Sequence, residues 1–193
     1  MLSELLEDRA ALYVSGAMSA PERENFDVLL EYHEELRNHV VGLQEAMAAV
    51  ALDRAGAVEP PGAAFKAKVL ASAAAARAAR TEPEGLVVTN SRGLIQWVNP
   101  AFTAMCGFSL EELKGRKPGE VLQGAATDPN SVERIRDALR TRSGCRETLV
   151  NYHKDGTPYL AEIRIDPILN DEREPLWFVA RERKLADATL LAV

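Results

Sequence analysis

Few groups in this 193-residue chain could do chemistry. Cys106 and Cys145 are the only cysteines, too few for a disulfide framework or a four-ligand zinc site. Thiols this isolated usually pack as small hydrophobes. His33 has no cysteine three residues on, so no structural zinc is expected. His153 falls in the turn between Asn151 and Pro158 and reads as solvated, while His33 and His39 lie far from it, so no haem ligand is expected either. There is no His-Glu-x-x-His and no phosphate-cradling glycine loop. These residues point to binding without catalysis, and no enzyme is expected.

The elements that must position such groups divide the chain in two. From residue 84 onward the pattern is that of a small sheet. Gly85-Leu86-Val87-Val88-Thr89-Asn90 and Leu94-Ile95-Gln96-Trp97-Val98 flank a Gly-bearing turn and predict a hairpin. Asn99-Pro100 then predicts a capped short helix through Cys106. Ser109-Leu110-Glu111-Glu112 is a second cap-plus-carboxylate start, residues 115–130 show little periodicity, and residues 131–140 read as an amphipathic helix with Val132, Ile135, Ala138 and Leu139 inward. Strands are expected near 145–152, 158–167 and 175–182. The fold class is therefore α+β: an all-helical N-terminal domain, then a five-stranded antiparallel sheet with helices on one face.

Before residue 84 the chain reads as helical. A first helix is predicted over 2–16. Ser19-Ala20-Pro21-Glu22 starts a second whose apolar positions, from Phe26 through Leu29, Leu36, Val40 and Met47 to Val50, recur at helical spacing for about thirty residues. Gly56 ends it, and Glu59-Pro60-Pro61-Gly62 is a stiff linker. The expected domains are 1–62 helical, 63–83 a helical linker, 84–184 the sheet domain and 185–193 a tail. The net charge is −6 overall: 8 Lys/Arg against 13 Asp/Glu over residues 1–82 give −5, and 15 against 16 in the rest give −1. Direct nucleic-acid binding is disfavoured, and a basic partner would be drawn to the acidic half. With no signal-peptide pattern and no apolar run of spanning length, a cytoplasmic, non-membrane protein is expected.

Residues 84–184 resemble a PAS sensor domain. The resemblance is carried by Trp97-Val98-Asn99-Pro100-Ala101-Phe102, Gly107-Phe108-Ser109-Leu110-Glu111-Glu112-Leu113, Leu122-Gln123-Gly124 and Asn151-Tyr152-His153-Lys154-Asp155-Gly156, in order and at PAS spacing. It implies a pocket between sheet and helices, with Asn99, Gln123, Arg136 and Asn151 as candidate ligand-binding residues. Within PAS domains it is most similar to the flavin-binding, blue-light LOV branch. The photoactive thiol of that branch falls at Pro118, its second ring-binding asparagine at Ala161 and its last-strand glutamine at Arg181. On these residues the domain is read as lacking the photoactive cysteine, and FMN as possible but doubtful; the pocket holds a small organic ligand or its own side chains.

Residues 5 to about 75 resemble bacterial anti-sigma domains, on Ala10 through Arg23, Asn25 through Leu36, and Pro60-Pro61 with Phe65 to Leu70. Their zinc positions fall on Leu29, His33 and Leu36, implying a zinc-free member. The leading expectation is a regulator whose sensor domain tunes the grip of the helical half on a sigma factor. The alternative is a PAS sensor or adaptor whose helices only dimerise it, and a third is a flavin redox sensor. A homodimer is expected from the long apolar helix face.

Overall fold

The computed structural model describes residues 2–55 and 84–187, with further helical positions at 64–65, 67–69 and 71–72. The expected helix end at Gly56, the 59–62 linker, most of the 63–83 spacer and residues 188–193 lie outside the described residues. The chain forms two compact units, one of residues 1–17 and 35–83, the other of 18–34 and 84–193.

In the first unit, α1 spans Glu4–Ser15 and α3 spans Glu34–Ala55. Gly16 ends α1 in the left-handed region (φ 74°), which glycine tolerates without strain. Leu6 and Ala10 of α1 and Leu36 and Val40 of α3 are buried.

The single long helix expected from Ser19 is interrupted. Helix α2 runs Ala20–Tyr32 and stops at His33, whose backbone is extended. The expected start is present: Glu22 reaches back to the Ser19 backbone as a capping box, with Pro21 in the first turn. The apolar spacing continues through the break. Periodicity therefore hides the boundary between two helices that belong to different units.

The second unit is built on a sheet of order β2-β1-β5-β4-β3, antiparallel throughout. Its strands are β1 (Gly85–Asn90), β2 (Ile95–Val98), β3 (Cys145–Tyr152), β4 (Pro158–Leu169) and β5 (Pro175–Asp187). β5 runs past residue 184, so the start of the expected tail is strand. The β1–β2 turn closes as the sequence implies: Asn90 Oδ1 accepts from the Arg92 and Leu94 amides, and Gly93 sits at φ 75°.

Four helices lie between β2 and β3: α4 (Pro100–Cys106), α5 (Leu110–Leu113), α6 (Pro118–Leu122) and α7 (Pro129–Arg140). Each starts at a cap or a proline. Asn99 caps α4, the Ser109–Glu112 box opens α5, Pro118 opens α6, and Asp128 accepts from the Asn130 and Ser131 amides to cap α7. The apolar sides of the first three meet the sheet in a core of Val87, Ile95, Val98, Phe102, Cys106, Leu113 and Leu122. α4 lies so close to β1 that a Cβ on Gly85 would stand 3.3 Å from the Phe102 backbone.

The sheet's opposite face is also covered. Val88 and Val179, cross-strand partners, are fully buried there. α2 reaches this face: Tyr32 meets Trp97 at 6.4 Å between ring centroids, and Asn25 Oδ1 accepts from Arg181 at 2.7 Å. Helical periodicity alone places α2 in a separate helical domain. The structure groups it with the sheet.

Candidate functional site

Strand geometry places the site. Side chains on a strand alternate between faces, so residues two apart share a surface. Ile163 and Ile165 of β4 face the helices, and their cross-strand partners Glu182 and Ala180 of β5 lie beside them. With Val87 of β1, Asn151 of β3, Phe102 of α4 and Val132, Ile135 and Leu139 of α7, they line a cavity of about 400 Å³. That falls in the range of small-molecule sites, which are mostly apolar with a few placed polar groups.

The polar groups come from three places. Gln123 follows α6; its backbone N–H donates to Gly119 O, and its side-chain amide has no hydrogen-bond partner among the described residues. The loop after it is tied to β3. Gly124 N donates to Thr127 Oγ1, Thr127 Oγ1 donates to Val150 O at 2.6 Å, and Ala126 N donates to the Tyr152 hydroxyl at 2.8 Å. Gly124 is required there, because a Cβ would meet the Tyr152 ring at 2.5 Å. The second group is Asn151 with Glu182, on the sheet. The third is a set of cations, Arg92, Lys117 and Arg136. All three are exposed; Arg136 has only a loose pair with Glu133 at 3.5 Å, and Arg92 and Lys117 have no ion pair among the described residues.

Beneath the cavity lies a buried cluster. Glu182 Oε1 accepts from Asn151 Nδ2 and from the Tyr159 hydroxyl, each at 2.9 Å. Burial pushes the Glu182 carboxyl above the usual carboxylate range, although both hydrogen bonds favour its charged form. Burial, with the neighbouring Glu182 carboxyl after it, pushes the Tyr159 phenol up as well. Cys106 is fully buried nearby, and desolvation raises its thiol, so it is a thiol rather than a thiolate at neutral pH. His153 is half-buried and stacks on Tyr159 at 4.3 Å between centroids, so it is not the solvated turn residue expected.

Of the four candidate residues, the structure brings Gln123, Arg136 and Asn151 to one cavity. Asn99 lies outside its lining. Its Oδ1 accepts from the Phe102 and Leu86 amides, and its Nδ2 donates to Glu84 O, so its side chain is spent on backbone. The last-strand position assigned to Arg181 is also corrected. Arg181 faces α2, with Asp166 Oδ2 at 3.4 Å, and Glu182 is the neighbour that enters the cavity. A slip of one residue moves a strand side chain to the other face. Glu182 escapes sequence reasoning for that reason; the signal is the alternation of Ile163 and Ile165, which fixes the register only once the pairing is known. Pro118 lines the cavity and Cys106 does not.

Among the described residues no cluster of His, Cys, Asp and Glu could hold a metal, and no helix is long and apolar enough to cross a membrane.

The chain is similar to a blue-light photoreceptor of Listeria monocytogenes, 35% identical over 102 residues, which are 51% of this chain and 40% of that protein. It spans well under half the length of the curated relatives it matches. The LOV domain of a blue-light activated histidine kinase from Erythrobacter litoralis superposes with a TM-score of 0.52 at 28% identity, covering 55% of this chain and all of that one. A light-oxygen-voltage domain whose mechanism was probed with a flavin analogue superposes at 0.53 and 25% identity, covering 61% and 87%.

Two expectations are overturned by these relatives. One sets the domain apart from photoreceptors for want of a cysteine; its similarity is to such photoreceptors themselves, and it holds the buried thiol of Cys106 in its core. The other holds flavin doubtful, which similarity to blue-light photoreceptors and to a domain studied with a flavin analogue does not support. Both arise from weighing single positions, Pro118, Ala161 and Arg181. Likeness here is carried by the whole sheet and its covering helices. Residues 83–181, about half of the chain, match the family model of the PAS domain, and the chain belongs to that family.

Proposed function

We propose that this protein is a flavin-binding sensor or adaptor, with the cavity as its ligand site and the N-terminal helices as its output. The observation that carries the reading is the cavity's composition. Val87, Phe102, Ile163 and Ile165 offer apolar surface for a flat ring system. Gln123, Asn151 and Glu182 offer hydrogen bonds to a polar ring edge, and Arg92, Lys117 and Arg136 offer charge to a phosphate. FMN has these three parts, and its ring would supply light absorption and electron acceptance when bound. The chain's own residues exclude water from the ring, orient its edge and neutralise its phosphate.

The similarity to blue-light photoreceptors supports this reading over the sigma-factor one, because the matches fall on the sensor domain. The output is a homodimer or a downstream regulator that reads the helices. Val41, Met47, Val50 and Leu52 of α3 are exposed among the described residues and offer apolar surface for a second copy.

Titration of the purified protein with FMN, followed by flavin fluorescence, is the test. We expect one FMN per chain, weaker binding of riboflavin, which lacks the phosphate, and about tenfold weaker FMN binding by Arg136→Ala. No saturable FMN binding would sink the reading.

A further inference from the structure

Glu182 is the one cavity-lining carboxyl among the described residues that is buried; Glu120, the other, is exposed. Both protein donors to Glu182, Asn151 Nδ2 and the Tyr159 hydroxyl, go to the same oxygen, Oε1. Oε2 receives no hydrogen bond from the described residues, and no buried side-chain polar atom among them is left unpaired. Oε2 is therefore the oxygen that keeps contact with the open space of the cavity.

The charged and titratable groups around Glu182 do not supply a counter-ion. β4 brings Tyr159, which is neutral, and α4 brings the Cys106 thiol. On β5 itself the near cation is Lys184, whose Nζ lies over the Tyr159 ring at 5.8 Å and 3.5 Å from His153 Nε2. The rim cations Arg92, Lys117 and Arg136 form no ion pair with Glu182 among the described residues. A carboxylate this deeply desolvated and without a cation is costly, so the group is held as the neutral acid. A neutral acid has one oxygen suited to accepting, the carbonyl, and one hydroxyl that donates. With Oε1 already accepting twice, the proton belongs on Oε2.

We infer that Glu182 is a specificity-determining donor: as a neutral acid it offers the Oε2 proton to an acceptor atom, a carbonyl oxygen or unprotonated ring nitrogen, on the edge of the ring that the cavity binds. This rests on the proposed flavin site and names the polarity of one contact in it. An oxidised flavin carries such acceptors along its pyrimidine edge. Deprotonation would set a carboxylate against those same acceptors and weaken binding.

The test has two arms. Infrared spectra of the flavin-free protein at neutral pH should show the carbonyl band of a protonated carboxylic acid, moved by deuterium exchange and absent from Glu182→Gln. FMN titrations should show Glu182→Gln, whose amide can still donate, within about threefold of the parent, and Glu182→Leu about tenfold weaker. The parent's affinity should fall as pH rises through the point where the acid band disappears, while Glu182→Gln stays level. A missing acid band, or Glu182→Leu binding as well as the parent, overturns the inference. The band is read without flavin, so failure of every variant to bind FMN defeats the proposed flavin site, and with it the contact, while the protonation state is still decided.

Discussion

The two faces of the sheet handle a buried charge in opposite ways, and adjacent residues show it. Arg181 and Glu182 are both nearly inaccessible. On the outer face Arg181 is met by the carboxylates of Asp166 and Glu84 and by the Asn25 side-chain oxygen. On the cavity face Glu182 meets only neutral donors, and burial favours its protonated form. The outer face continues as a ladder of ion pairs, with Arg146 and Arg183 on Glu162 and Arg164 on Asp166 and Glu24. The cavity face continues as Ile163, Ile165 and Ala180. One face is specified by charge complementarity and the other by exclusion of water, so they should fail differently.

The largest effect belongs to the apolar face. Phe102 is fully buried in its core and lines the cavity, so Phe102→Ala should cost about 3–5 kcal/mol in urea denaturation and abolish FMN binding. On the charged face, Arg181→Leu should cost roughly 2 kcal/mol, less than a fully buried pair would, because Asp166 keeps Arg164 at 3.0 Å. It should leave FMN affinity within about threefold, because its side chain does not enter the cavity. Loss of FMN binding equal to that of Phe102→Ala would erase the distinction between the faces.

The alternation behind that distinction is only partly legible in the sequence. Local devices are readable, because partners a few residues apart need no tertiary knowledge: the Asn90 turn, the Asn99 cap, the Ser109–Glu112 box. The register of β5 is not, because Arg181 and Glu182 exchange faces with a one-residue slip and the strand's own composition does not forbid it. The Asn151–Tyr159–Glu182 cluster joins residues up to 31 positions apart. The five residues of α6 are too few to show a period. The break at His33 falls inside an unbroken apolar pattern, so α2 cannot be assigned to the sheet from sequence.

The faces also differ in pH response. In the folded chain the Glu182 carboxyl stays protonated above the range where the unfolded chain ionises it. The folded state then binds more protons, so stability from this group is greatest in acid and declines as pH rises until the folded carboxyl ionises. Denaturation midpoints measured from about pH 5 to 8 should therefore fall more steeply for the parent than for Glu182→Gln. The smallest effect should come from Glu147, where the hydrogen bond from Arg134 lowers the carboxyl. Its contribution is present above the ordinary carboxylate range and lost as pH falls through the lowered value. Glu147→Gln should change only the acid limb of the stability curve, and modestly, because Arg134 is more than half exposed.

The grouping of α2 with the sheet has a consequence for how the chain can be divided. Residues 35–83 fall between the two segments of the sensor unit, 18–34 and 84–193, so in its sequence they stand as an insertion. α2 is thereby a tethered ligand of the sheet, held at the effective concentration that its connection sets. Severing the chain between Ala55 and Glu84 would make its docking bimolecular while leaving the contacts of α2 with the sheet in place. A polypeptide starting at Glu84 would lack α2 altogether and bare the face around Val88, Trp97 and Arg181. Adding the 18–34 peptide back to it in trans would measure, as a dissociation constant, the affinity of the untethered contact, against which the tether's effective concentration acts.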